Sequence, residues 1–197
     1  MSHYFIENPQ ALTNERELSL EILGFKLRFL TNNGLFSCDK IDDASLTLIK
    51  NMPPIKGALL DLGCGYGVIG IALTKISEMA GQITLTQSDI NSLALNYAEK
   101  NAKLNNIPAT FIHSDGFQQI HNSFDNITLN PPIHAGKDVM FRLYEESAAH
   151  LNPHGSLFIV IQKKHGAEST IRKLNELFTH CEILYKKKGR FVIQCTQ

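Results

Sequence analysis

The chain has 197 residues, of which 43% are hydrophobic and 19% are charged, so it is long enough for one globular domain with a substantial core. Basic and acidic residues number 19 each, which excludes the net positive field of a general nucleic-acid-binding protein and leaves only a local basic patch for that role. No apolar run approaches the roughly 20 residues of a membrane span, and the first ten residues do not resemble a signal peptide. We therefore expect a cytoplasmic protein with no membrane partner.

Scattered cysteines carry no recognisable metal or redox motif. Cys38, Cys64, Cys181 and Cys195 form no CxxC or CxxH pair, which argues against a zinc site and against a disulfide framework. We expect free thiols and no metal.

The amino-terminal region is rich in β-type residues. Residues 18–31, LSLEILGFKLRFLT, alternate apolar and polar side chains on both sides of Gly24, which predicts a β-hairpin. A short helix is predicted over residues 44–50, before two prolines. We assign residues 1–50 to a β-hairpin extension with a substrate-side loop, and residues 51–197 to the main domain.

Short apolar runs alternate with amphipathic segments from residue 58 onward, which is the pattern of parallel βαβ units. The last two runs are joined only by Lys188 and Gly189, so they are predicted to be antiparallel. The predicted fold is α/β, with a Rossmann-like, seven-stranded, mostly parallel sheet and an antiparallel last strand. Its strands are predicted at residues 58–62, 82–89, 109–115, 124–130, 156–162, 181–187 and 190–196, and its helices at 66–77, 91–105, 138–150 and 168–178.

A glycine-rich loop, DLGCGYGVIG at residues 61–70, follows the first of these strands. Glycines there let the backbone approach a ligand at the amino end of a helix. Residues 65–70 fit G-x-G-x-x-G, a weak dinucleotide fingerprint, so an NAD-dependent oxidoreductase is an alternative of another class. However, Asp61 and Gly63 precede the fingerprint, and an acid there repels a pyrophosphate but attracts a cationic ligand.

S-adenosylmethionine is a ligand of this kind, since it carries an ammonium and a sulfonium and no phosphate. The stretch DLGCGYG resembles the first motif of class I S-adenosylmethionine-dependent methyltransferases, and acids follow the next two strands in order. The resemblance implies that Asp89 accepts from the ribose hydroxyls and Asp115 from the adenine amine. Structural alternatives are a turn cap for Asp61, a helix cap for Asp89 and a turn acid for Asp115. The predicted cofactor-binding residues are Asp61, Gly63, Cys64, Gly65, Gly67, Asp89, Ile90, Asp115, Gly116 and Asn130.

The stretch LNPPIHAG, residues 129–136, ends the fourth strand with an asparagine and two prolines. The side-chain carbonyl of Asn130 and the backbone carbonyl of Pro131 can both accept from one planar NH₂ group and aim its lone pair at the sulfonium methyl. Proline suits this position because it has no N–H and a fixed φ. We therefore predict Asn130, Pro131 and Pro132 as catalytic residues that act by positioning. The alternative is that they only end the strand and stiffen the loop.

N-P-P followed by an aromatic residue resembles enzymes that methylate adenine N6 or a protein glutamine amide, but here Ile133 follows. N-P-P-I-H-A-G resembles instead the small-subunit (16S) ribosomal RNA guanine-N2 methyltransferases, in a single-domain form. Nearly the whole chain shares this resemblance, including GLFS at 34–37, Asp42 with Ser45, IVIQKKHGA at 159–167 and KKKGRFV at 186–192.

This resemblance implies S-adenosylmethionine as cofactor and ribosomal RNA, or the small ribosomal subunit, as partner. The main domain would then be the S-adenosylmethionine-binding catalytic domain. Two features depart from the family pattern: Ala44 replaces a glycine, and the chain matches only the catalytic half of the members that have two tandem halves. A non-catalytic RNA-binding module is therefore a further alternative, although the intact Asp61 and Asn130 favour catalysis.

A guanine in folded RNA must be unstacked before it is methylated, so its pocket needs apolar or aromatic walls. We predict Phe36 on one side and Ile133 on the other. Basic residues at the carboxyl edge of the sheet would contact phosphates. The structural alternatives are a core position for Phe36 and solvated loop positions for the polar residues. The predicted substrate-binding residues are Phe36, Ile133, His134, Lys137, Lys163 and Lys164.

Overall fold

A two-stranded antiparallel hairpin, β1 (Glu15–Ile22) and β2 (Phe25–Asn32), opens the part of the chain that the computed structural model describes, residues 14–197. The hairpin prediction is confirmed. Leu23 and Gly24 form its turn with φ of 48° and 84°, the left-handed pair that matches the twist of a tight hairpin. Residues 1–13 of the predicted extension, which include the ten residues that do not resemble a signal peptide, lie outside the described residues.

The large sheet has seven strands in the order β5-β4-β3-β6-β7-β9-β8. Strand β9 is antiparallel to both of its neighbours and the other pairs are parallel, which confirms the predicted fold class. The strands of this sheet are β3 (Gly57–Leu62), β4 (Ile83–Asp89), β5 (Ala109–His113), β6 (Phe124–Leu129), β7 (Leu151–Gln162), β8 (His180–Lys187) and β9 (Arg190–Thr196), and the helices are α1 (Asp43–Asn51), α2 (Val68–Ile76), α3 (Ser92–Leu104), α4 (Lys137–Ala149) and α5 (Ala167–Leu177).

Strand β7 begins five residues earlier than expected, at Leu151 rather than Ser156. The added segment contains Pro153 and Gly155, and the β6–β7 register shifts between Phe124 and Asn126. An irregular pairing of this kind tolerates a proline that a regular central strand would not.

Two apolar clusters cover the two faces of the sheet. One joins the hairpin to α1, α2 and α3, and the other packs α4 and α5 against the opposite face. The hairpin is part of the first cluster, because Leu27 and Phe29 are buried there, with the Phe29 ring 6.3 Å from that of Tyr66. The proposed division at residues 50 and 51 stays a prediction.

Hydrogen bonds from helix α3 also hold the hairpin against the large sheet. Asn101 of α3 is buried; its Nδ2 donates to the carbonyls of Leu30 and Tyr66, and its Oδ1 accepts from the Leu30 N–H. Because one side chain satisfies backbone groups of both segments, the hairpin is held beside the glycine-rich loop.

Cys181 and Cys195 are joined by a disulfide, so the expectation of free thiols is wrong for this pair. The register of β8 and β9 sets the two residues directly opposite each other, with 4.2 Å between their Cα atoms. No short cysteine motif signals such a pair, because register and not spacing brings the residues together. Cys38 and Cys64 are free. In the described part of the chain, no helix has both the length and the hydropathy that crossing a bilayer requires.

Candidate active site

Five neighbouring parallel strands end at one edge of the sheet, and each is followed by residues that the sequence singles out. The glycine-rich loop follows β3, Asp89 ends β4, and Asp115 comes shortly after β5. Asn130 follows β6 and Lys163 follows β7. The strand order therefore gathers the predicted site at the carboxyl edge, where ligands bind in open α/β sheets.

The glycine-rich loop takes a backbone path that suits glycine. Gly63, Gly65 and Gly67 have φ of 66°, 57° and 93°. A Cβ at Gly63 or Gly65 would meet no atom within 4 Å, whereas at Gly67 it would lie 3.1 Å from the Gln87 and Ile71 side chains. The first two glycines thus leave open space beside the backbone, and the third is needed for packing as well as for its φ.

Asp61 is buried beneath this loop, with 1% of its surface exposed. Its Oδ2 accepts from the Gly70 N–H at 2.8 Å and from Gln87 Nε2 at 3.3 Å, and its Oδ1 accepts from Thr128 Oγ1 at 3.0 Å. Burial raises the pKa of Asp61 to about 6, and these hydrogen bonds oppose the rise. The carboxylate therefore ties the start of α2 to the sheet, and its contact with a ligand ammonium stays a prediction.

Asp89 supports the other side of the same loop. Its Oδ2 accepts from the Gly65 N–H and its Oδ1 from the Asn91 N–H, each at 2.8 Å. Burial raises its pKa, against the effect of these backbone donors. The cap of α3 is Asn91, which accepts from the N–H groups of the first turn, so the helix-cap alternative for Asp89 is wrong. Each carboxylate oxygen keeps a lone pair for a further donor.

Two neighbours complete the loop surroundings. Cys64 is buried, and burial raises the pKa of its thiol; its N–H donates to the carbonyl of Ser88 at 2.9 Å. Ile90 is 40% exposed next to Asp89, an apolar surface at the ligand-facing edge. Both residues lie where the sequence predicted cofactor contacts, and those contacts stay predictions.

Asp115 lies in an ion pair that the sequence interpretation missed. Arg142 Nη2 of α4 donates to its Oδ1 at 2.6 Å, and Arg142 Nη1 also contacts Glu146 at 3.3 Å. The pair raises the pKa of Arg142, chiefly through the hydrogen bond to Asp115. Glu146 Oε2 in turn accepts from the Phe117 N–H at 3.3 Å, close to Gly116. The i,i+4 spacing of Arg142 and Glu146 predicts that these two side chains contact each other on one helix, but it does not predict the contact of Arg142 with Asp115.

Asn130 is held from a part of the chain far away in sequence. Its Nδ2 donates to Asp42 Oδ2 at 3.0 Å and to Ser45 Oγ at 3.1 Å. Its Oδ1 has no hydrogen-bond partner among the described residues. Pro131 is buried and Pro132 is exposed, and the Ala135 N–H donates to the Pro132 carbonyl at 2.9 Å to close a 3-10 turn. The Asn130 amide is therefore anchored by its nitrogen, and its oxygen is left to accept a hydrogen bond from a ligand.

The segment before α1 lies beside the glycine-rich loop, because the Tyr66 hydroxyl donates to the Ser37 carbonyl at 3.2 Å. Phe36 in this segment is 50% exposed, so its structural alternative as a core residue is not supported. Ile133 is half-buried and His134 is exposed in the 3-10 turn after the prolines. Their contacts with a base stay predictions.

The predicted basic rim is exposed. Lys163 and Lys164 form a 3-10 turn after β7, and the Lys163 N–H donates to the Gly189 carbonyl at 2.7 Å, which joins this turn to the β8–β9 turn. Lys137 is exposed at the start of α4, with its Nζ 5.0 Å from the centre of the Phe141 ring. In residues 14–197 no three His, Cys, Asp or Glu side chains are grouped as a metal site would need.

An open groove of about 600 Å³ lies at the opposite edge of the sheet, lined in part by Lys56, Asp125 and His154. None of the predicted site residues lines it. The chemistry-bearing side chains lie instead at the carboxyl edge, and we place the candidate site there because donors, acceptors and open backbone meet at that edge.

The family model, a curated relative and a solved structure that this chain resembles are all described as methyltransferases. The family model of the methyltransferase small domain matches residues 26–194. The chain is 39% identical to YbxB of Bacillus subtilis over 197 residues, which is 98% of this chain and 96% of YbxB. It is 36% identical over 136 residues to the ribosomal RNA small subunit methyltransferase C of Shewanella halifaxensis, which is 67% of this chain and 39% of that protein.

Among solved structures, the 16S rRNA N2 G1207 methyltransferase (RsmC) of T. thermophilus, in complex with AdoMet and guanosine, superposes with a TM-score of 0.82 at 28% identity. The match covers 93% of this chain and 50% of that one. The chain therefore spans about half or less of the length of these two ribosomal RNA methyltransferases, and nearly all of YbxB.

Proposed function

The chain belongs to the methyltransferase small domain family, and from this premise we propose that it is an enzyme that transfers a methyl group from S-adenosylmethionine to the exocyclic N2 amine of a guanine in small-subunit ribosomal RNA. The observation that carries the proposal is the Asn130 amide, which is anchored by its nitrogen and leaves its oxygen open at the carboxyl edge of β6, next to the glycine-rich loop. Relatives that share this fold and sequence support the same chemistry.

The residues at the glycine-rich loop fit S-adenosylmethionine. Open space lies beside the backbone at Gly63 and Gly65, where a side chain would intrude on a ligand. Asp89 can accept from ribose hydroxyls with its remaining lone pairs, and Asp115 keeps its second carboxylate oxygen for an amine. When bound, this cofactor supplies an electrophilic methyl group on a sulfonium. Two carboxylates under the loop disfavour a pyrophosphate, so the NAD alternative is the weaker one.

Asn130 and Pro131 supply the acceptors for the target amine. Asn130 Oδ1 and the Pro131 carbonyl would accept hydrogen bonds from its two N–H groups, which would orient the nitrogen lone pair toward the methyl carbon. Transfer would form the N–C bond as the S–C bond breaks, with the sulfonium leaving as a neutral thioether, and the cationic amine would then lose a proton to water. No strong base is required, because an N-alkylated guanine cation of this kind is acidic.

The choice of guanine rests on the residue after the prolines. An aromatic residue at that position would resemble the enzymes of adenine N6 or glutamine, and Ile133 stands there instead. The exposed Phe36 offers an aromatic surface from the facing segment, and the exposed lysines Lys163, Lys164 and Lys137 can contact RNA phosphates. With ribosomal RNA as its substrate, the proposed enzyme would act in the cytoplasm.

The test is methyl transfer itself. The purified chain is incubated with radiolabelled S-adenosylmethionine and either naked small-subunit ribosomal RNA or assembled small subunits, both from a strain that lacks the gene, and the labelled nucleotide is mapped. We expect label on one guanine N2, and none with Asn130→Ala. Label on an adenine would refute the guanine assignment. RNA binding without transfer would support the non-catalytic module, and calorimetric binding of NAD instead of S-adenosylmethionine would support the oxidoreductase.

A further inference from the structure

We propose that Asp42 and Ser45 are positioning residues that set the orientation of the Asn130 amide. Through Asn130, the start of α1 then helps to position the amine that receives the methyl group. This inference rests on the proposed function and assigns roles to two residues that do not themselves touch substrate. Asp42 and Ser45 are separated from Asn130 by 88 and 85 residues, and α1 packs near the end of β6 only in the folded chain.

Three donors converge on one oxygen of Asp42. Its Oδ2 accepts from the Ser45 N–H at 2.8 Å, from Ser45 Oγ at 3.2 Å and from Asn130 Nδ2 at 3.0 Å. Ser45 Oγ also lies 3.1 Å from Asn130 Nδ2. Ser45 is buried, and Asp42 and Asn130 are half-buried, so the cluster is partly shielded from water.

The polarity of this cluster leaves one orientation for the Asn130 amide. The carboxylate of Asp42 can only accept, and the Ser45 hydroxyl uses its single proton on that carboxylate, so it too can only accept from Asn130. Both neighbours therefore require the NH₂ side of the amide. The Asn130 oxygen must then face the other way, toward the space where the target amine would lie.

The opposite orientation would disable the site. If the amide rotated by half a turn, its NH₂ group would face the NH₂ of the base and donor would meet donor, while its oxygen would meet the carboxylate of Asp42. Asn can adopt either orientation in solution, because its terminal torsion has a broad, two-fold profile. Asp42 and Ser45 remove this freedom before substrate arrives, which is preorganisation of an acceptor.

Asp42 also caps helix α1, so a substitution there has two effects that must be separated. Three variants do so. Asp42→Asn keeps an oxygen that can accept from Ser45 and Asn130; Asp42→Ser keeps a helix cap but is too short to reach Asn130; Asp42→Ala keeps neither. Asp43→Ser is the matched control, because Asp43 lies in the same turn, is exposed and contacts Arg190 and Lys40 instead.

The readouts are kcat, KM for RNA, the S-adenosylmethionine Kd by calorimetry, and Tm. We expect Asp42→Ser to lower kcat about 10- to 100-fold with Tm and the Kd nearly unchanged, since misplacement of a reacting group has effects of this size. Asp42→Ala should lose kcat equally and Tm as well. Asp42→Asn and Asp43→Ser should keep kcat within about threefold, because the conservative variant retains the acceptor. Full activity of Asp42→Ser, or equal losses in Asp42→Asn and Asp42→Ser, would overturn the proposal.

A second measurement does not depend on methyl transfer. In ¹⁵N NMR spectra, the Asn130 side-chain NH₂ should show slowed hydrogen exchange in the wild type and in Asp42→Asn, and faster exchange in Asp42→Ser. Similar exchange in all three would remove the orienting role. A wild-type chain that orders this amide but transfers no methyl group would count against the proposed function and not against the positioning of Asn130.

Discussion

The two halves of the candidate site are held in different ways. On the proposed cofactor side, Asp61 and Asp89 lie under one short loop and accept hydrogen bonds from the backbone of that loop and of the helix starts. Asp61 also accepts from the side chains of Gln87 and Thr128. On the substrate side, Asn130 is held by two side chains from a segment more than 80 residues earlier. The first half therefore rests largely on backbone groups of the loop and the helix starts, whereas Asn130 is held by side chains alone. We expect that the second half can be altered with little effect on the first.

The largest expected effect separates these halves at Asn130. Asn130→Ala removes the proposed acceptor for the target amine, so we expect methyl transfer to fall at least about 100-fold. The S-adenosylmethionine Kd should stay within a few-fold, because the backbone of the glycine-rich loop is untouched. Calorimetry and initial rates measure the two quantities on the same preparation. Turnover near the wild-type rate would remove Asn130 from the chemistry.

In the proposed cofactor half, Asp61 should make the free energy of unfolding depend on pH. Burial raises the pKa of Asp61 to about 6, above its ordinary 3.8, so between about pH 4 and 6 the folded state holds more protons than the unfolded state. This group's contribution to the free energy of unfolding is therefore largest at low pH and is lost as pH rises through 6. Asp61→Asn has no such proton to lose.

Chemical denaturation at pH 4 and at pH 7 tests this sign. Relative to wild type, Asp61→Asn should gain on the order of 2 kcal/mol of stability on going from pH 4 to pH 7. Glu99→Gln is a matched control, since Glu99 is on the exposed face of α3 and, within residues 14–197, its ion-pair partner is Lys103. A stability difference between Asp61→Asn and wild type that is the same at both pH values would contradict the raised pKa.

We assign the basic rim to the proposed substrate half alone. Lys163→Glu/Lys164→Glu should weaken RNA binding about tenfold at moderate salt and make its salt dependence shallower, because fewer counterions are released. S-adenosylmethionine binding should not change. Lys56→Glu serves as control, since Lys56 lines the groove at the opposite edge of the sheet. An unchanged salt slope in the double variant would exclude these lysines from the RNA interface.

The smallest expected effect concerns the open glycines of the loop. Gly65→Ala and Gly189→Ala both place a side chain at positive φ with nothing within 4 Å, so each should cost about 1 kcal/mol of stability. Only Gly65→Ala should also weaken S-adenosylmethionine binding, because its methyl group enters the space that the ligand needs. Equal affinities in the two variants would show that the loop does not closely approach the cofactor.

Local sequence patterns were sufficient to predict most helices and strands and the order of the motifs along the chain. Alternation around Gly24 predicted the hairpin, and the βαβ rhythm predicted a sheet whose strand ends carry Asp61, Asp89 and Asn130 in sequence order. These predictions succeed because side-chain periodicity and turn residues act within a few positions of the chain. The extra length of β7 was missed, since Pro153 reads locally as a stop and only its irregular pairing with β6 accommodates it.

Contacts between distant segments needed the folded chain. Asp42 and Asn130 both appeared as notable residues, but no spacing rule connects positions 88 residues apart. The same holds for the Asp115–Arg142 ion pair and for the Cys181–Cys195 disulfide, which depend on helix placement and strand register. The sequence alone determined which chemical groups end each strand, because that is local. Tertiary structure decided which of those groups meet and how the Asn130 amide is oriented, because strand order and helix packing alone bring their donors and acceptors within hydrogen-bonding distance.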